Sequence, residues 1–93
     1  MPAMFSYALP YDPVELVARD AARGVQRRWR MQAMRDLFGR VVVETAWGRI
    51  GAPGRTLTRS FAGEADAARY VRALLRRRAG ARRRIGVDYV AGR

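Results

Sequence analysis

Apolar and polar side chains alternate along residues 26–35, with Trp29, Met31 and Ala33 on one side and Arg28, Arg30 and Gln32 on the other. That spacing predicts a strand with one apolar and one cationic face, a signature that an ordinary amphipathic strand with solvated arginines shares. Residues 40–47 predict a second strand, because Val41, Val42 and Val43 are β-branched and stiff. Asp36 to Gly39 reads as the hairpin turn between the two. Residues 55–61 predict a third strand with Leu57 and Phe61 as inward anchors. Arg59 falls on their side by alternation, which implies either a bulge or an arginine that reaches the sheet's edge.

The period then changes. Over residues 64–78, Ala65, Ala68, Val71 and Leu75 share one helical face, with Ala67 and Leu74 flanking it. Glu64 and Asp66 sit in the first turn and Arg76 to Arg78 in the last, which suits the helix dipole. Gly63 is left as the N-cap, weaker than Ser or Asp. Val87, Tyr89 and Ala91 alternate with Asp88 and Val90, a pattern for a short terminal strand. Residues 12–24 admit two readings. Asp12-Pro13-Val14-Glu15 has the form of a helix start and Gly24 of a helix stop, and local propensity favours the helix. Val14, Leu16 and Ala18 nonetheless alternate as a strand would. Residues 1–13 read as a poorly ordered lead-in, broken by Pro2 and Pro10, from which Phe5, Tyr7 and Leu9 could dock on the sheet. Residues 14–93 form a single domain on this reading.

Between the second and third strands lies the stretch on which the chain turns, Ala46-Trp47-Gly48-Arg49-Ile50-Gly51-Ala52-Pro53-Gly54-Arg55. Three glycines and a proline make it a bend, and they hold Trp47 and Arg49 at that bend. An indole stacks on a base or sugar, and a guanidinium pairs with a phosphate. The same alternation that brings Val41, Val43 and Thr45 onto one face would also make Trp47 a core residue.

Charge sharpens this picture. All nineteen basic residues are arginine, against eight acids, for a net charge of +11. The excess lies beyond residue 24, where seventeen arginines face five acids. A small domain with that field attracts polyanions, and arginine grips phosphate bidentately. A GC-rich coding sequence explains arginine in place of lysine but not the excess over acids. The chain of 93 residues has no cysteine and no histidine, and every base is arginine. It therefore lacks the usual general base, a thiolate, a Schiff-base amine and His/Cys zinc ligands. The eight acids show no spacing that favours a catalytic pair. The glycine-rich bend lacks the lysine of a P-loop and opens no helix. These features point away from an enzyme and from any cofactor. No stretch is long and apolar enough to span a bilayer, and the basic-then-apolar opening of a secretion signal is absent, so a cytoplasmic location is expected.

Trp47-Gly48-Arg49-Ile50-Gly51, followed by Pro53-Gly54, resembles the defining motif of the WGR domain. Arg19-Asp20-Ala21-Ala22-Arg23, Arg27 to Met31, Leu37-Phe38-Gly39, Phe61, Glu64 to Ala68 and Leu74-Leu75 resemble the rest of its bacterial branch in order. The resemblance covers residues 14–78. It departs at the C-terminal end, where Gly86 and Tyr89 are separated and come late for the family's Gly-Tyr, so no role is carried to Tyr89. The resemblance implies that residues 14–20 are extended rather than helical, with Asp20 to Gly24 as the turn into the next strand. It implies an α+β fold, an antiparallel twisted sheet of about four or five strands with one helix on one face. It implies DNA as partner, especially ends or breaks, with Trp47 against a terminal nucleotide and Arg49 on the backbone beside Gly48. Arg40, Arg55 and Arg59 are the nearest candidates for phosphate contacts, and Arg28 and Arg30 form a second strip. A protein-interaction adaptor is the rival, with the same Trp/Arg surface meeting an acidic partner protein. Single-stranded nucleic acid stacked on Trp29 and Trp47 is a third reading.

Overall fold

The computed structural model describes residues 11–92. The predicted docking of Phe5, Tyr7 and Leu9 lies outside them. Strand β1 spans Val14–Asp20, β2 Val25–Arg35, β3 Val41–Arg49 and β4 Arg55–Phe61. Helix α1 follows at Glu64–Ala79, a short α2 at Ala81–Ile85, and β5 at Val90–Ala91. The strands form one antiparallel sheet in the order β4-β3-β2-β1-β5, with α1 packed on one face.

Residues 14–20 are a strand, as the resemblance implied and against local propensity. Each residue of β1 is paired, from Val14 opposite Met31 to Asp20 opposite Val25. A ladder along all of β1 and burial of Ala18 outweigh a preference worth only tenths of a kcal/mol per residue. Asp20 leads into a single 3₁₀ turn that Gly24 closes.

The register sets the two faces. Trp29 opposes Trp47, Met31 opposes Thr45, and Ala33 opposes Val43. These positions look toward α1, where Trp29, Met31, Ala33, Val41, Val43, Ala67 and Val71 make the buried core. Thr45 is the one buried polar side chain among the described residues, and its Oγ1 donates to the Leu57 carbonyl at 3.3 Å. The face of α1 is the predicted one except at Ala65: Ala68, Leu74 and Leu75 pack on the core as expected. Ala67 and Val71 are buried and Tyr70 is half-buried, whereas Ala65 is exposed. Tyr70 joins this face, its ring against that of Phe61 with centroids 5.2 Å apart.

Arg59 involves no bulge. The β3–β4 register runs unbroken from Val41 opposite Phe61 to Trp47 opposite Arg55. β4 is an edge strand, so Arg59 reaches outward over Tyr70, its Cζ 6.0 Å from the ring centroid. Tyr11 joins the chain ahead of β1 to the start of α1: its hydroxyl donates to Glu64 Oε2 at 2.6 Å, and Arg35 Nη2 donates to the same oxygen at 2.8 Å. Both donors stabilise the carboxylate, so Glu64 titrates below its ordinary value and Tyr11 above its own.

Candidate nucleic-acid interface

The bend after β3 is built by close approach of two glycines. A Cβ on Gly48 would stand 2.7 Å from the Gly54 Cα, and one on Gly54 would run into the Trp47 carbonyl oxygen. Gly54 also has φ of 71°, which side chains rarely tolerate. With both glycines the chain folds back on itself. Ala52 N–H then donates to the Arg49 carbonyl at 3.0 Å, and Ile50 N–H reaches the Gln26 carbonyl at 2.9 Å. Arg28 completes the corner. Its Nη2 donates to the Pro53 carbonyl at 2.7 Å and also to the Ala52 carbonyl. One guanidinium thus holds two loop carbonyls that have no place in the ladder.

Trp47 sits where the sheet passes beyond this brace. It is half-buried and packs against the core cluster from its edge. It also lines two clefts of about 280 and about 180 Å³. Arg27 and Tyr89 line both of them too. Arg49 opposes Arg27 in the register and belongs to the first cleft. Arg77, Arg78 and Arg84 wall the second. Neither cleft has a carboxylate on its walls. By contrast, a cleft of about 360 Å³ between β1 and the chain after α2 mixes Arg19 and Arg82 with Asp20 and Asp88, so it offers no single sign of charge.

Arg78 forms the back wall. Its guanidinium lies 4.9 Å from the Trp29 ring centroid and 5.9 Å from that of Tyr89. Burial pulls its pKa below the ordinary arginine value, and the like charges of Arg84 and Arg77 add to this. Among the described residues neither Arg78 Nε nor Trp29 Nε1 has an acceptor, although both are buried. Buried donors without acceptors are costly, and an incoming anion or water relieves them. The arrangement can therefore place an aromatic surface against a flat ligand while several guanidinium groups meet its phosphates.

The family model of the WGR domain matches residues 13–83 of the 93. This chain belongs to the WGR domain family. No curated protein and no solved structure matched it. The WGR domain is a nucleic-acid-binding kind of module.

Against that identification, the residues singled out from the WGR sequence are distributed unequally. Trp47, Gly48 and Arg49 are together at the corner, and Arg55 opposes Trp47 on the same face, exposed. Both readings of Trp47 describe part of it, since it touches the core and also lines the clefts. Arg28 is turned inward as the brace. Arg30 lies on the face away from α1, 3.5 Å from Glu15 Oε2. Arg40 is at the far end of β3, its Nε donating to Ser60 Oγ at 2.7 Å. Arg59 stands over Tyr70 partway along the edge.

Six cleft residues were not singled out as contacts: Arg27, Arg77, Arg78, Arg84, Ile85 and Tyr89. For Arg27 the signal was present, because it continues the alternation of Trp29, Met31 and Ala33 by one step. Arg84 is placed by α2, a turn of helix in which its Nη1 donates to the Arg77 carbonyl at 2.9 Å. Tyr89 is carried back to Arg78 as β5 pairs with β1. Arg84 is fixed by a contact seven residues away, whereas the return of Tyr89 depends on pairing with β1 far back in the chain.

Proposed function

We propose that this WGR domain is a DNA-binding module that favours strand ends or breaks and acts by binding rather than by catalysis. Trp47, with Tyr89 nearby, offers the surface on which a terminal nucleotide stacks. Arg27 and Arg49 meet the adjoining backbone phosphates from the strands, and Arg77 and Arg84 meet them from the helical side. Arg55 extends the same face. The observation that carries this reading is the half-buried Trp47 at two clefts walled by arginines and free of carboxylates. Stacking of a base on an aromatic side chain is worth about 1–3 kcal/mol. It is available to an exposed terminal nucleotide and not to one inside a continuous duplex.

Titration of labelled nicked, blunt, recessed and single-stranded oligonucleotides at two ionic strengths tests the reading. For duplexes, log affinity should fall with log salt at about 0.9 per phosphate neutralised. Nicked or recessed duplexes should bind more tightly than a covalently closed duplex. A flat salt response, or equal affinity for closed and interrupted duplexes, would remove it.

A further inference from the structure

We propose that the free edge of β4 accepts an extended acidic peptide as an added strand. Among the described residues the sheet ends there: β4 neighbours only β3, and all of its residues except Phe61 are exposed. At an edge, alternate residues turn N–H and C=O groups away from the sheet, and a second strand can pair with them. The opposite edge offers little, since β5 has only two residues. Along the α1-facing side of β4 the order is Arg55, Leu57, Arg59, with Leu57 40% exposed. A strand laid beside it places three of its own side chains opposite these, so the complement is acid, apolar residue, acid at alternate positions.

A second copy of the chain does not fit. Antiparallel pairing about Leu57 would set Arg55 of each copy against Arg59 of the other, and like charges directly opposite are destabilising. The chain does not supply the complement either, because none of its eight acids stand four residues apart. Charge at an edge also serves to prevent unwanted pairing, and an edge guarded only for that purpose would bind no peptide specifically. The edge lies outside the clefts around Trp47 and shares only Arg55 with the face offered to DNA.

The test uses the full chain, labelled with ¹⁵N, and a capped peptide of the pattern Glu-Thr-Val-Thr-Glu. The pattern is palindromic, so either strand direction satisfies it. Shift changes and slowed amide exchange should centre on residues 55–61. A peptide of the same composition with its two glutamates adjacent should bind several-fold more weakly. Arg55→Glu with Arg59→Glu should weaken the first peptide by about tenfold and favour a peptide with lysines in place of the glutamates. If the double variant does not fold, the comparison of the two glutamate peptides on the unaltered chain still decides. Equal binding of those peptides, shifts centred on Trp47 and Arg27, or no saturable binding would each overturn the proposal.

Discussion

Strand β3 ends in a bend at each side, and the two bends differ in what they present. Toward its start, the hairpin of residues 36–40 is fixed by Asp36, whose Oδ1 accepts from the backbone N–H groups of Phe38 at 2.9 Å and Arg40 at 2.9 Å. Toward its end, the corner of residues 48–54 is fixed by Arg28 and the contact of two glycines. Both are held by a side chain that satisfies loop backbone, so order alone does not distinguish them. Charge does. Near the hairpin, Arg35 is paired with Glu64 at 2.8 Å, and Arg40 donates to the neutral Ser60 hydroxyl. Leu37 and Phe38 stand out in solvent at 98% and 88% exposure. At the corner a half-buried indole meets guanidinium groups with no carboxylate on the cleft walls. Uncompensated charge beside a partly buried aromatic is the reason the corner, and not the hairpin, is proposed as the binding end.

Substitutions at matching places in the two bends sharpen this contrast. The largest difference should come from glycine. Gly54→Ala should cost roughly 2–4 kcal/mol, because the methyl group meets the Trp47 carbonyl as well as an unfavourable φ. Gly39→Ala, at φ of 80° but in open space, should cost only about 1 kcal/mol. Urea unfolding of both variants measures the gap, and equal costs would mean that the corner is not a close approach.

Next come the two bracing side chains. Arg28→Ala should weaken DNA binding by about tenfold through loss of the corner's shape, an effect on the order of 1.4 kcal/mol. Its salt slope should not change, since the Arg28 guanidinium is held through Nη2 on loop carbonyls and not on phosphate in this account. Asp36→Ala should leave DNA binding as it was while destabilising the hairpin by about 1 kcal/mol. A lowered salt slope for Arg28→Ala would instead place that guanidinium on phosphate.

Smaller effects follow from single charges. Arg49→Ala should lower the salt slope by about 0.9, and Arg40→Ala should leave it unchanged. At the exposed tip, Leu37→Ser and Phe38→Ser should alter stability by no more than about 0.5 kcal/mol, since neither side chain is withdrawn from water. Acid titration adds a minor contrast. The Glu64 carboxylate, accepting from Tyr11 and Arg35, titrates below its ordinary value, so its contribution is complete above the ordinary carboxylate range. That contribution fades as pH falls through the lowered value. An NMR titration should therefore show the Tyr11 and Arg35 contacts loosening in acid while the corner's resonances stay in place.

Much of the fold could be read from the sequence because its signals are local. The β-branched run Val41 to Val43, the alternation around Trp29 and the change of period at Glu64 each announce an element within a few residues. The strand at 14–20 was one of two readings its residues allowed and was chosen through the resemblance, because pairing with β2 overrides a convincing helix start. The buried face of α1 was legible apart from its ends: Ala65 is exposed, and Tyr70, which meets Phe61 nine positions earlier, joins the face. At the candidate site the motif named its own core, Trp47 to Arg49, while the rest was gathered by topology. Pairing of β2 with β3 brings Arg27 opposite Arg49, and pairing of β5 with β1 returns Tyr89 to Arg78. Arginines that looked equivalent in the sequence are sorted by neighbours that lie far away along the chain. Arg28 and Arg30 are adjacent on one strand face, yet one holds loop carbonyls and the other faces Glu15.

The central claim is that the indole at the corner reads an interrupted strand while the arginines around it supply general attraction. Binding of a nicked and a covalently closed duplex to the unaltered chain and to Trp47→Ala, each across a range of salt, tests it most directly. The account predicts tighter binding of the nicked duplex by the unaltered chain, and equal binding of both by Trp47→Ala with the salt slope preserved. A folded Trp47→Ala variant that keeps its preference for the nick would contradict it.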